Sequence, residues 1–362
     1  MSDEHLKTPA RELFAAANSG KGFYSAYRQC FDAARVKRVY AVKGGPGTGK
    51  SRFLRDVAEY AEKRGWKGEY VYCSSDPDSL DGVILSRGED CVALMDATAP
   101  HVYEPTRPGI REELVNLGAF WDRRSLERHA GEIEALNAQK SDAYRRAYRY
   151  LAGMEGMLQN RDALVKPHLR REAIRTCAEK LMRGIESEAE YSVQYALMRS
   201  VGMRGEVGFD TYFAQAERIV LIEDCHGSAQ YLMRDLGQLA LERRLRIRLS
   251  HDPISSDRLD AIHLCGSGVT FAVCSPELCE YPFKCVHMRR FVDVTGLRAG
   301  RGELLLAERM SRAMLDGAVE SLAAVRDVHF RIEALYIDAM DFAAKENFTK
   351  IFCQRLFDLP NG

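Results

Sequence analysis

The sequence of 362 residues has no apolar run near the ~20 residues that a bilayer-crossing helix needs, so a membrane span is not expected. Its amino terminus, Met1-Ser-Asp-Glu-His5, lacks the basic segment followed by an apolar one that marks a secretion signal. Charge of one sign is missing too. The 52 Lys plus Arg balance 52 Asp plus Glu, which removes any global attraction to nucleic acid or to an acidic membrane. The expectation is a soluble, cytoplasmic chain without membrane or nucleic-acid partners. Ten cysteines, in a long chain with no export signal, read as reduced thiols and mostly core fillers rather than a disulfide framework.

What is present is organised in halves. At roughly 150 residues per domain the length suggests two units. In the first, the β-favouring run Val39-Tyr-Ala-Val42 leads into Gly44-Gly45-Pro46-Gly47-Thr48-Gly49-Lys50-Ser51. Phe53, Leu54, Val57, Ala58 and Ala61 then follow at helical spacing. Strand, glycine-rich loop and helix stand in the order required by the pattern G-x-x-x-x-G-K-[ST]. Glycines let the backbone curl around phosphate oxygens where a β-carbon would obstruct it. The amides from Gly45 to Ser51, Pro46 excepted, can then point inward, with the helix dipole behind them. Lys50 would reach the β- and γ-phosphates of a nucleoside triphosphate, and the Ser51 hydroxyl would ligate magnesium.

A metal-holding acid is expected at the end of a second apolar strand, and Cys91-Val-Ala-Leu-Met-Asp96 supplies Asp96. The next residue is Ala97, so the acid pair of motor-type and AAA-type ATPases is absent. Between the two elements, the strand Glu69–Cys73 is followed by Asp76, Asp78 and Asp81. These carboxylates are candidates for activating water or a substrate hydroxyl, and equally for turn and cap chemistry. His101 is a candidate γ-phosphate sensor or substrate contact, or a satisfied loop histidine. Arg52, Arg107 and Arg111 are candidates for an arginine that completes the site.

The chain also resembles itself. Leu54-Arg55-Asp56-Val57 matches Met233-Arg234-Asp235-Leu236, and Leu80-Asp81 matches Leu259-Asp260, both at a shift of 179 positions. Asp76-Pro77 pairs with Asp252-Pro253 if a gap is allowed, the strand Val39–Val42 with Ile219–Ile222, and Gly22-Phe23 with Gly208-Phe209. At the same shift Ala229 stands for Lys50, Ser228 for Gly49, Gln230 for Ser51 and Ser275 for Asp96, while Glu223 and Asp224 replace Gly44 and Gly45. The second loop thus loses the lysine, the hydroxyl and the acid, and the added carboxylates would repel phosphate. This second half is expected to serve as a packing partner or as a regulatory or substrate-binding face.

Each half is followed by a charged, periodic stretch. Leu126, Ile133, Leu136, Ala143, Ala147, Leu151, Met154 and Leu158 lie near helical spacing, and Glu303–Phe342 repeats the character. These helices could pair with each other, fold as a hairpin, or offer a surface for self-association or another protein. Basic stretches at 145–149, 170–175 and 243–248 read as solvated helix faces. Cys274, Cys279, Cys285 and His287 match no zinc-knuckle spacing and read as core thiols.

The runs Ala15–Ser25, Lys43–Ser51, Cys73–Gly82 and Asp96–His101 together resemble a family of bacterial tandem P-loop ATP-binding proteins, over most of the chain. The resemblance implies ATP phosphate contact by Gly44–Ser51 and metal contact by Ser51 and Asp96. Members commonly keep a Gly-Lys-Ser loop in both halves, and this chain departs from that between Glu223 and Tyr231. The fold expected is α/β: two tandem P-loop NTPase-type parallel-sheet domains, each three-layer α/β/α with a helical extension. The boundaries are 1–121, 122–190, 191–300 and 301–362. The function expected is a Mg2+-dependent ATPase with one active site, with Lys50, Asp76, Asp78 and Asp81 as catalytic candidates. The alternatives are a small-molecule or nucleotide kinase and a nucleotide-dependent binding module.

Overall fold

A computed structural model describes residues 11–358 apart from 33, 102, 188 and 189, so the amino-terminal pentapeptide lies outside the described residues. The first half runs β1 (Arg11–Phe14), β2 (Ala16–Ser19), β3 (Gly22–Ser25), α1 (Tyr27–Cys30), β4 (Arg38–Lys43), α2 (Lys50–Glu62), β5 (Lys67–Tyr72), β6 (Leu80–Arg87), β7 (Asp90–Asp96) and β8 (Glu112–Asn116). Helices α3 (Arg123–Arg128), α4 (Ala130–Val165) and α5 (Arg171–Leu181) follow. The second half repeats the order as β9 (Ser192–Tyr195), β10 (Arg199–Gly202), β11 (Gly205–Gly208), α6 (Thr211–Ala214), β12 (Arg218–Glu223), α7 (Ala229–Glu242), β13 (Arg246–His251), β14 (Leu259–Leu264), β15 (Val269–Val273) and β16 (Phe283–His287). It ends in α8 (Arg301–Ile337) and α9 (Phe342–Phe357).

Each half forms a six-stranded sheet, ordered β1-β5-β6-β7-β4-β8 and β9-β13-β14-β15-β12-β16, so the two topologies coincide strand for strand. The sheets are mixed rather than parallel throughout. β6 and β14 run antiparallel to both neighbours. The reason is local: Gly88, at φ 59°, turns β6 straight back into β7 with no crossover helix. Side chains alternate in β4, where Tyr40 and Val42 face the α2 core while Val39 and Ala41 face the core under α1.

The structural repeat does not keep one shift. The 179-position shift holds from α2 to β14's counterpart β6, but the hairpin glycines Gly22 and Gly205 correspond, so Gly208 is not the partner of Gly22. Asp76 corresponds to Ser255, and Asp252 stands in the place of Cys73, because β5 and β13 align without a gap. Asp96 lies opposite Val42, as Val273 lies opposite Ile222. Val273 rather than Ser275 therefore replaces the acid. Glu223 is the last residue of β12, in the place of Lys43 rather than Gly44.

The helical extensions do not remain with their own halves. α4 and α8 pack antiparallel across the molecule, with Gly153 against Met314 and Gly317 against Tyr150, closely enough that a β-carbon on either glycine would crowd its neighbour. Beyond them the chain crosses over. Ile174, Ala178 and Met182 of the α5 region join the core of the second sheet, while Phe352 and Cys353 of α9 join the core of the first. Matching bridges fix the exchange, Leu169 to Val292 and Trp121 to Met340.

The halves also meet along their edges. Phe14 and Leu197 exchange backbone hydrogen bonds of 2.9 and 2.8 Å. Each hairpin grips the loop after the other half's edge-proximal strand: Lys21 pairs with Asp257 at 3.0 Å, and Arg204 pairs with Asp78. Among the described residues no helix is long and apolar enough to cross a membrane. None of the ten cysteines is in a disulfide, and only Cys30, Cys91 and Cys353 are buried, so the core-filler expectation fails for most of them. Arg248 of the third basic stretch is buried, not solvated.

Candidate functional site

The strand β4 ends at Lys43, and the chain loops through Gly44–Gly49 into the 13-residue helix α2. Gly47 and Gly49 both adopt φ 71°, a left-handed conformation that explains why the loop needs glycine there. A β-carbon on Gly44 would also come within 2.7 Å of Thr48 Oγ1. Inside the loop the Thr48 hydroxyl donates to Gly45 O at 2.9 Å. Lys50 Nζ donates back to Gly44 O at 2.8 Å and Gly45 O at 2.9 Å.

Parallel pairing of β4 with β7 sets Asp96 beside this loop, with its Oδ2 3.5 Å from Lys50 Nζ. Burial raises the Asp96 pKa, with Lys50 opposing that rise. Asp96 Oδ1 accepts from Thr98 N at 2.8 Å, and the Thr98 hydroxyl donates to Gly44 O at 2.9 Å, tying the β7 end to the loop. Ser51 Oγ accepts from Leu80 N at 2.9 Å, which leaves a lone pair for a further ligand.

The other site candidates are dispersed. Arg52 pairs with Asp56 at 2.8 Å on the outer surface of α2. Asp76 Oδ1 caps its own turn by accepting from Asp78 N at 3.2 Å, and Asp78 is exposed and paired with Arg204 of the second half. These two therefore take the turn-and-strap role. Burial raises the Asp76 pKa, opposed by Arg204. Asp81 lies inside β6 instead of in the turn; it is buried and 3.0 Å from His101 Nε2. His101 is buried too, stacked on Tyr27 with ring centroids 4.7 Å apart. Burial works against its charge, but Asp81 outweighs that and leaves the pKa raised. Arg111 is spent on Glu112 at 2.9 Å and on Phe31 O at 2.9 Å.

Sequence reading missed the roof over the loop, which comes from the other extension. A β-carbon on Gly45 would meet Tyr336 at 3.2 Å, one on Gly47 would meet Glu333 O at 2.7 Å, and one on Gly49 would meet Lys345 Nζ at 3.2 Å. Burial raises the Glu333 pKa, and the Gly47 amide opposes it. Lys140 of α4 and His329 of α8 bring two more basic groups near Lys50. Burial lowers both, Lys50 lowers both further, and His329, also beside Lys140, is held at about 4. No local motif signals these residues, because α8 and α9 reach the loop from the other half and Lys140 only through the long-range packing of α4.

The corresponding loop of the second half, residues 224–228, is one residue shorter. Its amides are already engaged: Asp224 accepts from Gly227 N at 2.7 Å and from Ala229 N at 2.8 Å. Arg161 of α4 lies against Gly227. Glu223 pairs with His287, so the two acids find protein partners at the end of β12. Cys285 lies near them, whereas Cys274 and Cys279 do not join the group; all three are half-buried, which overturns their reading as core thiols.

No family model matches this chain, and no curated protein or solved structure is significantly similar to it.

Proposed function

We propose that the chain is a magnesium-dependent ATPase that binds the triphosphate at Gly44–Ser51 and works from one half only. The observation that carries the reading is the convergence of three features: a left-handed glycine loop at the start of α2, Lys50 within it, and Asp96 at 3.5 Å from Lys50. Amides and dipole at a helix start attract phosphate, and Lys50 adds a full charge. The gathering of Lys140 and His329 around Lys50, whose charge lowers the pKa of both, supports the same reading. An anion among them would oppose that lowering.

Ser51 and Asp96 fit a hard cation: both offer oxygen, the Asp96 carboxylate is largely buried, and Ser51 Oγ keeps a free lone pair. The ion would neutralise charge on the β- and γ-phosphates. For the chain's own residues the work is positioning. Lys50 would exchange its two carbonyl partners for phosphate oxygens, and the roof of Tyr336 and Ile337 would limit water around the loop. Asp76 and Asp78, two of the three carboxylates that suggested a kinase, have structural partners here, which supports the ATPase reading over that alternative. Asp224 already occupies the second loop's amides, which supports a single site.

The test is equilibrium binding of labelled ATP with Mg2+, with phosphate release measured in parallel. One saturable site and turnover are expected, and Lys50→Ala is expected to lower turnover by a factor on the order of 1000, the size of one lost transition-state charge contact. Undiminished turnover in Lys50→Ala, or ATP binding that survives it at a second site, refutes the assignment.

A further inference from the structure

We propose that Cys73, Asp81 and His101 form a binding site for a divalent ion of the zinc class. Because β6 runs antiparallel between β5 and β7, its first residues lie beside the ends of both neighbours. Cys73 directly follows β5, Asp81 is the second residue of β6, and His101 lies just past β7. One sulfur, one carboxylate oxygen and one imidazole nitrogen thereby come within 4.8 Å of one another. Asp81 and His101 are 5% and 6% exposed. Asp81 Oδ2 is buried without a hydrogen-bond partner among the described residues, although His101 Nε2 stands 3.0 Å away. A metal ion bound here would pair with that oxygen and with a neutral His101 imidazole at once.

The second half shows that this position is built to hold a cation. There Asp252 replaces Cys73 and Asp260 replaces Asp81. The guanidinium of Arg199 fills the space between them, 2.7 and 2.6 Å from the Asp260 oxygens and 3.7 Å from Asp252. The residue equivalent to Arg199 in the first half is Ala16, which brings no charge. In the first half Asp81 has the His101 imidazole beside it, at 3.0 Å, in place of a guanidinium. This half offers a thiol and an imidazole, ligands that favour a borderline-soft ion over Mg2+ or Ca2+. Three protein ligands leave a fourth position open on a tetrahedral ion. Binding forms the metal–sulfur bond as the Cys73 proton leaves to solvent, with no change of oxidation state.

This assignment is independent of the nucleotide reading, and its test uses no nucleotide. Chelator-stripped full-length protein is titrated with Zn2+ by calorimetry and with Co2+ by absorption, in buffers of different ionisation enthalpy. The expected result is one ion per chain, release of a proton, and a thiolate-to-cobalt charge-transfer band with tetrahedral ligand-field bands. Cys73→Ser and His101→Gln should each weaken binding by a factor on the order of 100 or more, and Cys73→Ser should abolish the charge-transfer band. Asp81→Asn provides a third variant should either of these fail to fold, with circular dichroism confirming the fold. The partly exposed group Glu223, Cys285 and His287 is the internal control. Absence of stoichiometric binding, or binding lost in His287→Ala yet retained in Cys73→Ser, overturns the proposal.

Discussion

Replacing Glu69 by Gln should destabilise the molecule far more than a surface charge change would. Glu69 in β5 and Arg248 in β13 are equivalent residues of the two repeats, and they meet each other where the halves abut. Arg248 Nη2 lies 3.0 Å from Glu69 Oε1, and Arg35 and Arg11 approach the same oxygen at 2.6 and 2.8 Å. Glu69 is 3% exposed and Arg248 7%, so solvent does little to screen the pair. Burial pushes the Glu69 pKa up, but Arg248 and Arg35 overcome it and hold the carboxyl far below its usual range. In Glu69→Gln the guanidinium of Arg248 stays buried and loses its carboxylate, keeping only neutral side-chain partners such as Gln194 at 2.9 Å. Breaking a buried pair in this way costs about 3–5 kcal/mol. At ~2–4 °C per kcal/mol for a domain of this size, Tm should fall by roughly 6–20 °C.

The sign of the pH dependence follows. A depressed carboxylate pKa gives stability that is complete above the ordinary glutamate value of 4.5 and is lost as pH falls below it toward the folded value. Urea unfolding of the wild type should therefore steepen in its pH dependence below 4.5, and Glu69→Gln should remove part of that slope. Glu69→Leu combined with Arg248→Leu should recover part of the loss, because it removes both fully buried charges and leaves only Arg35 and Arg11, which reach more solvent, without the carboxylate. A Glu69→Gln loss below ~1 kcal/mol, or a double variant no more stable than the single one, would refute the reasoning.

Two further outcomes are expected. Phe352→Ala, near the far end of the chain, should destabilise the first half by about 3–5 kcal/mol; Phe352 packs on Phe53 and Tyr40 at ring distances of 5.3 and 5.1 Å, and hydrogen exchange should show opening in α2 and β4 rather than in the second sheet. His329, held at about 4, is neutral in the folded chain, so its contribution is complete above the unfolded value of 6.5 and is lost as pH falls toward 4. His329→Gln should flatten stability over that window by up to about 3 kcal/mol, and saturation with Mg-ATP should raise the His329 pKa in an NMR titration if the triphosphate sits near it.

The strand-loop-helix of the first half was legible because its chemistry is local: Val39–Val42, four glycines and the apolar positions of α2 carry it without tertiary help. The repeat was legible only where loop lengths agree. Between β6 and β7 and their counterparts the shift changes, so Ser275 was matched to Asp96 when the strand register puts Val273 there. β6 was not anticipated as a strand, although Arg87-Gly88-Glu89 between two apolar runs is a hairpin signal that could have revealed it. The exchange of α5 and α9 left no trace, since helical periodicity reveals an apolar face but not which sheet it will cover. Lys140, His329 and Glu333 were invisible for the same reason.

That exchange also sets an order of events during synthesis. The first sheet emerges from the ribosome with its α2 face lacking Phe352 and Cys353, which belong to a helix made only after the whole second half. The second sheet has no such wait, because α5 precedes it. Vectorial folding should therefore complete the later-made half first. The glycine loop before α2, although translated early, would gain its roof of Glu333 and Tyr336 and its neighbour Lys345 among the last pieces to arrive.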